Sequence, residues 1–138
     1  AQAVNMPAAE RLDPKIPADK LAYAKTRAGK IMSTGKDAEI FADYYIAYHL
    51  SFNDNYATVS DKAMKATGEE KVALQAAADT AFKGEALRGT LLTAYAFGTL
   101  GELAGYGAIA ALIGALLMLV LTIAGFVHLR RTPDSATI

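Results

Sequence analysis

The chain has 138 residues, with 14 basic and 14 acidic side chains and no cysteine. This balance of charge gives no electrostatic basis for binding nucleic acid. The absence of cysteine excludes disulfides, thiolate metal sites and a cysteine nucleophile. A chain of this length has room for one small folded unit and one membrane helix.

The first seventeen residues contain Pro7, Pro14 and Pro17. Proline at this density excludes a regular helix, so residues 1–17 are predicted to form an extended arm. Such an arm is either disordered or lies across the surface of a partner. A start at Ala1 is typical of a mature protein after signal-peptide cleavage, and a shortened sequence has the same appearance.

Four helices are predicted after the arm, and the first two have clear boundary signals. The first begins after Pro17, a favourable first-turn residue, and extends to about Ser33 with Gly35 as its stop. The second is predicted from about Asp37 to Phe52.

An aromatic row marks one face of the second helix. Its members are Phe41, Tyr45, Tyr48 and Phe52, which recur at intervals that share one side of a helix. Two interpretations stay open. The row forms the core of a helical hairpin, or it binds a partner protein, because tyrosine combines apolar area with a polar tip. His49 is expected to be a surface or hydrogen-bonded residue and not a metal ligand.

The third and fourth helices are predicted from capping signals. Thr58 and Asp61 resemble a capping box for a short helix that ends at Gly68, and Thr67 and Glu70 repeat the pattern for the next helix. Because no proline or polar cluster follows, the fourth helix is predicted to continue into the C-terminal apolar segment. The predicted fold class is all-α.

The segment from Leu103 to Leu129 carries no Asp, Glu, Lys or Arg. Its length is enough to cross the roughly 30 Å hydrocarbon core of a bilayer as one helix. The sequence therefore predicts a single-pass membrane protein. Its parts are a helical domain over 18–100, a transmembrane helix over 101–130 and a tail over 131–138.

The charges beside this segment predict its orientation. Arg130 and Arg131 follow it at once, whereas the nearest cation on the other side is Arg88. Cations close to the end of a membrane helix favour the cytoplasmic side. We expect an extracytoplasmic helical domain and a cytoplasmic C-terminus at the plasma membrane, with the two arginines as the cytoplasmic anchor. A tail-anchored protein with its short tail outside is the competing topology.

The apolar stretch is longer than one membrane crossing needs. Residues 89–101 are also uncharged, so apart from Glu102 the run reaches back to Gly89. A helix of this length is about 60 Å long, about twice the thickness of the hydrocarbon core. We expect the excess to be covered either by the first three helices or by another protein.

Small residues recur through the first half of the membrane segment. They are Gly101, Gly105, Gly107, Ala111, Gly114 and Ala115. Small residues let helix backbones approach closely in lipid, where packing drives association. The pattern predicts packing against another helix, from a partner subunit or from a second copy of the chain. Glu102 is expected at the outer interface; a deeper position would make it a functional carboxylate, such as a proton relay.

The junction between the fourth helix and the membrane segment reads Ala86-Leu87-Arg88-Gly89-Thr90-Leu91-Leu92-Thr93, followed by Ala96-Phe97-Gly98. This junction, together with the polar stretch from Ala63 to Gly68, resembles a family of small actinobacterial membrane proteins that often carry the label aromatic ring-opening dioxygenase. The resemblance implies membrane placement and an extracytoplasmic helical loop. It implies no activity, because His49 and His128 lie at opposite ends of the chain and cannot assemble the iron site of that reaction.

The sequence contains no Ser/His/Asp set, glycine-rich phosphate loop or metal-spaced carboxylate cluster. We therefore expect a non-catalytic accessory subunit of a larger membrane complex, without a cofactor, whose partners are other membrane subunits and the bilayer. Candidate hosts are a respiratory cytochrome supercomplex and a membrane-bound oxygenase. One alternative is a membrane-anchored sensor that binds a small ligand, metal or haem beside the tyrosine-rich helix and His49. Another is a self-associating scaffold.

Overall fold

The computed structural model describes residues 4–131. Its helices are α1 Ala18–Arg27, α2 Gly35–Ile40, α3 Ala47–Leu50, α4 Tyr56–Lys65 and α5 Gly68–Arg131. A 3-10 turn precedes α1, and a π-helical turn over Phe41–Ile46 joins α2 to α3. This part of the chain contains one isolated β-bridge and no strand, which confirms the all-α prediction.

The chain divides into two units. The N-terminal unit ends at Thr99 and the C-terminal unit begins at Leu100, within the single helix α5. The predicted tail over 131–138 lies outside the described residues, apart from Arg131.

The proline-rich N-terminal segment packs against the chain itself. Met6, Leu12 and Ile16 are buried, and they form one core cluster with Ala24 of α1 and Ile40 of α2. The prediction of an arm that is disordered or lies on a partner is therefore wrong. Prolines prevent a long helix here, but the apolar side chains between them are covered by the first two helices.

Helix α1 is shorter than the sequence predicts. It begins directly after Pro17, as expected, but ends at Arg27 and not near Ser33. Gly29 has a φ of +72°, the left-handed conformation in which glycine commonly terminates helices. Gly35, the predicted stop, is the first residue of α2. The earlier of two possible glycine stops is the one the chain uses.

Helix α2 opens with a capping box that the sequence analysis missed. The Asp37 N–H donates to the Thr34 hydroxyl at 3.0 Å, and the Thr34 N–H donates to the Asp37 carboxylate at 3.1 Å. The helical stretch that follows ends at Leu50, so the predicted end at Phe52 is two residues too late.

The N-cap of helix α4 lies three residues before the predicted cap, Thr58. Asn55 is the N-cap, and its side-chain oxygen accepts a hydrogen bond from the Thr58 N–H at 2.9 Å. The prediction of a Thr58 cap is therefore wrong. Asp61 instead pairs with Lys65 one turn later on the surface.

Helix α5 begins at Gly68 and continues without interruption to Arg131. The prediction that the fourth predicted helix continues into the apolar segment is confirmed. Because no proline or capping pattern interrupts residues 69–130, every backbone N–H after the first turn of α5 can keep its intrahelical partner.

Two glycines of α5, Gly84 and Gly98, bring the first half of this helix against α3 and α2. A Cβ added at Gly98 would lie 2.9 Å from the Cα of Gly35, and one added at Gly35 would lie 3.2 Å from the carbonyl oxygen of Tyr95. A Cβ added at Gly84 would lie 2.7 Å from a methyl group of Leu50. Larger residues at Gly35 or Gly98 would force the backbones apart.

This contact accounts for part of the excess apolar length. Leu91, Leu92 and Tyr95 are partly buried within the N-terminal unit, whereas Phe97 is 70% exposed. The first helices thus cover one face of residues 89–99 and leave another face exposed.

We expect Gly98→Ala to destabilise the N-terminal unit by about 1–3 kcal/mol, because the added methyl group meets backbone and cannot be relieved by a side-chain rotation. Gly89→Ala on the same helix is the matched control, since a Cβ there has nothing within 4 Å. The control is expected to stabilise the helix by up to about 1 kcal/mol, because alanine is the better helix former. Hydrogen exchange of the amides of α2 and α3 in the full-length protein measures both changes. Equal exchange rates in the two variants would contradict the close approach.

Candidate interaction surfaces

A fully buried carboxylate, Asp37, fixes the turn that precedes α2. Its side chain is 0% exposed. Arg27 of α1 donates to both carboxylate oxygens, from Nε at 3.0 Å and from Nη2 at 2.8 Å. The Tyr23 hydroxyl donates at 3.1 Å, and the backbone N–H groups of Ser33 and Thr34 donate at 3.0 and 3.1 Å. This carboxylate therefore joins α1, the turn and the first residues of α2.

The same contacts determine how Asp37 titrates. Burial by itself raises the pKa of the carboxyl group, because the charged form loses hydration. The hydrogen bonds from Arg27 and from the backbone of Ser33 and Thr34 outweigh burial and hold the pKa of Asp37 well below its ordinary value. The pairing also raises the pKa of Arg27. Both Asp37 and Arg27 are therefore charged at neutral pH.

The π-helical turn meets a cation at each of three consecutive residues. The pairs are Arg88 with Asp43, Lys20 with Tyr44, and Arg11 with Tyr45. Arg88 Nη2 lies 2.7 Å from Asp43 Oδ1, and Arg11 Nη2 donates to the Tyr45 hydroxyl at 2.7 Å. The three cations come from α5, α1 and the N-terminal segment. A widened turn is common at functional positions, and here it joins three parts of the N-terminal unit.

The aromatic row passes from the core to the surface along its length. Phe41 is buried and stacks on Tyr45 with ring centroids 4.8 Å apart. Phe52 is 66% exposed, and its ring centroid lies 4.8 Å from that of Tyr48. Of the two interpretations of the row, the core interpretation describes Phe41, and the partner-surface interpretation is retained for Tyr48 and Phe52.

His49 lies beside this row and is exposed. Its ring centroid is 4.3 Å from that of Tyr45, and its Nδ1 lies within hydrogen-bond distance, 2.6 Å, of the Tyr45 carbonyl oxygen. Within residues 4–131, no group of three His, Asp or Glu side chains is placed to hold a metal ion.

A groove of about 640 Å³ with both polar and apolar lining lies where α3, the following turn, α4 and α5 meet. Its lining includes Asp54, Glu85 and Arg88, which mix both signs of charge, and it does not include His49. Arg88 Nε is buried and has no hydrogen-bond partner among the described residues. The geometry thus gives no specific support to ligand binding at His49.

The predicted small-residue face lies on the C-terminal unit, and all its members are exposed. They are Gly101, Gly105, Gly107, Ala111, Gly114 and Ala115. A Cβ added at any of the four glycines would have nothing within 4 Å in the described chain. Glu102 is exposed beside the first of them, and Arg130 and Arg131 are exposed at the end of α5. This face is sterically open to the backbone of another helix.

Among residues 4–131, α5 is the one helix that is long and apolar enough to cross a membrane. Its large apolar side chains from Leu103 to Leu129 are 44–71% exposed. A continuous apolar surface of this size is unfavourable in water. The length and composition of α5 therefore suit a single membrane crossing.

Comparisons with protein families, with curated proteins and with solved structures find no match to this chain. Its role must be inferred from the surfaces described above.

We expect Asp37→Asn to lower the stability of the N-terminal unit by about 2–4 kcal/mol, because Arg27 loses a charged partner and the turn loses its strongest acceptor. Asp61→Asn is the matched control, since its carboxylate pairs with Lys65 on the surface. An exposed pair of this kind contributes about 0.5 kcal/mol or less. Urea unfolding of the full-length protein, followed by tyrosine near-ultraviolet circular dichroism, compares the two. Equal losses would contradict the role of Asp37.

The stability of the protein should also depend on pH through Asp37. Its pKa is lowered on folding, so its contribution is complete above the unfolded-state pKa of about 3.9 and is lost as the pH falls below it. We expect stability to decline below about pH 4 in the native protein and to decline less steeply in Asp37→Asn. Unfolding midpoints measured from pH 7 to pH 3 test this. Equal slopes for the two proteins would contradict the assignment.

Proposed function

We propose that this chain is a non-catalytic accessory subunit of a larger membrane protein complex. The second half of α5 crosses the plasma membrane once. The N-terminal unit lies on the extracytoplasmic side, and the C-terminus lies in the cytoplasm. Arg130 and Arg131, directly after the apolar segment, support this orientation through the preference of cations for the cytoplasmic side.

The exposed small-residue face of α5 carries the proposal. Gly101, Gly105 and Gly107 present backbone with no side chain of the described chain within 4 Å of their Cβ positions. Lipid tails fill such a concave strip less well than a second helix does, because close backbone contact adds van der Waals and weak polar interactions. A helix of a partner subunit therefore packs on this face.

The N-terminal unit supports the same role. Its internal ion pairs and the glycine contact with α5 hold it as one body, while Phe52 and Met64 are 66% and 72% exposed. Exposed aromatic and methionine side chains are enriched at protein interfaces. The unit thus offers a second contact outside the membrane, with Tyr48 and Phe52 at its centre.

A pair of identical substitutions on opposite sides of α5 tests the proposal. Ala111 lies on the small-residue face, and Ala124 lies about 140° away around the helix. We expect Ala111→Leu to reduce co-purification of partner subunits about tenfold, a loss of about 1.4 kcal/mol. Ala124→Leu is expected to leave co-purification unchanged, since its side chain faces lipid. The measurement is quantitative mass spectrometry of a C-terminally tagged chain isolated from source membranes in mild detergent.

Three results would contradict the proposal. Recovery of the tagged native chain without other proteins would favour the self-associating scaffold. Equal loss of partners in the two leucine variants would show that the small-residue face is not part of the contact. A stoichiometric metal or chromophore in the purified chain would favour the sensor.

A further inference from the structure

An apolar groove of about 550 Å³ lies on the N-terminal unit beside residues 91–98 of α5. Its lining includes Val4, Ile31, Ala38, Leu91, Ala94 and Gly98. Val4 and Ile31 are 50% and 59% exposed, although both have aliphatic side chains of a kind that is usually buried. The groove is therefore lined by apolar surface that nothing in the described chain covers completely.

The backbone fixes the two exposed side chains at the groove. The Met32 N–H donates to the Val4 carbonyl oxygen at 3.0 Å, and Asn5 pairs with Ile31 in an isolated antiparallel bridge. Residues 91–98 of α5 form the other wall of the groove, and the close contact of Gly35 with this helix holds it in place. The groove is a preformed feature of the fold, since main-chain contacts set its walls.

The chain segments that form the groove carry side chains of both signs, and their carboxylates are paired within the chain. They contain Lys30 and Lys36, and Asp37 and Glu39 lie on either side of the lining residue Ala38. Asp37 pairs with Arg27 and Glu39 pairs with Lys20, so neither carboxylate is an unpaired charge at the groove. Both lysines are exposed, and each is next in sequence to a lining residue, Ile31 or Gly35. Apolar walls with cations beside them complement a molecule that has a hydrocarbon chain and a negative headgroup.

The position of the groove along the chain brings it close to the membrane. Gly98 precedes Leu103, the first residue of the uncharged segment, by five residues. Five residues span at most about 18 Å even when fully extended. The end of the groove at Gly98 therefore lies within about 18 Å of the first residue of the uncharged segment.

We propose that this groove binds an anionic phospholipid of the leaflet that faces the N-terminal unit. One acyl chain lies against Val4, Ile31 and Leu91, and the phosphate lies beside Lys30 and Lys36. This inference rests on the proposed membrane crossing of α5. It adds a specific lipid contact outside the transmembrane segment.

Because the chain has no cysteine, a single introduced cysteine can report on this contact. The full-length protein with Ile31→Cys is labelled with an environment-sensitive fluorophore and reconstituted in nanodiscs that contain nitroxide-labelled phospholipid. We expect quenching at position 31 to be about twofold or more stronger in phosphatidylglycerol discs than in phosphatidylcholine discs. Adding Lys30→Gln and Lys36→Gln should abolish the difference between the two lipids.

Two control positions separate failure of this inference from failure of the membrane crossing. Val72→Cys, at a side chain 66% exposed near the start of α5, should show little quenching, and Leu116→Cys in the apolar segment should be strongly quenched in both lipids. Quenching at position 116 without quenching at position 31 would overturn the lipid groove and leave the crossing intact. No quenching at position 116 would overturn the crossing and the groove with it. Equal quenching at position 31 in both lipids would overturn the anionic assignment. Shielding of the label at position 31 from solvent in native membranes, but not in discs, would show that a protein occupies the groove and would overturn the lipid assignment.

Discussion

The buried carboxylate of Asp37 is the interaction on which the N-terminal unit depends. It ties Arg27 of α1 to the turn before α2, and it caps the first residues of that helix. The same turn presents Gly35, whose backbone meets Gly98 of α5 at a distance that admits no side chain. One ionised group therefore sets the position of the glycine on which the long helix packs, and that packing covers part of the apolar surface between residues 89 and 99.

The arrangement explains how a small domain without disulfides keeps a defined structure next to a long apolar helix. Apolar burial is limited, with Met6 and Ile40 among the few large side chains that are fully or almost fully covered. Polar contacts also fix how the segments of the domain are arranged. The Asp37 network and the cations around the π-helical turn each join segments that are distant in sequence. A polar network whose members are hydrogen-bonded, as around Asp37, favours one arrangement over its competitors. A defined domain of this kind is compatible with the proposed role of holding a contact with other subunits.

The sequence predicted the features that depend on composition and missed those that depend on contacts between distant residues. The charge-free segment and the uninterrupted helix α5 follow from which residues are absent, so local reasoning was sufficient for them. The end of α1 at Gly29 was missed because Gly35 gives the same local signal. The π-helical turn was missed because the aromatic spacing of residues 41–52 also fits an α-helix.

The network of Asp37 and the contact between Gly35 and Gly98 were missed because they join residues far apart in the chain. The N-terminal arm was misjudged because its prolines drew attention away from three core side chains. The small-residue face and Glu102 were recognised as candidates. The structure of a single chain shows no contact with a partner, so it does not test them.

The native mass of the chain in its own membrane tests the accessory role most directly. Two-dimensional blue-native electrophoresis of mildly solubilised source membranes, followed by detection of this chain, measures it. We expect the chain to migrate at one discrete position, far above its own mass of 14.6 kDa, together with the subunits of one complex. Migration as a free monomer or as a small homo-oligomer would contradict the account.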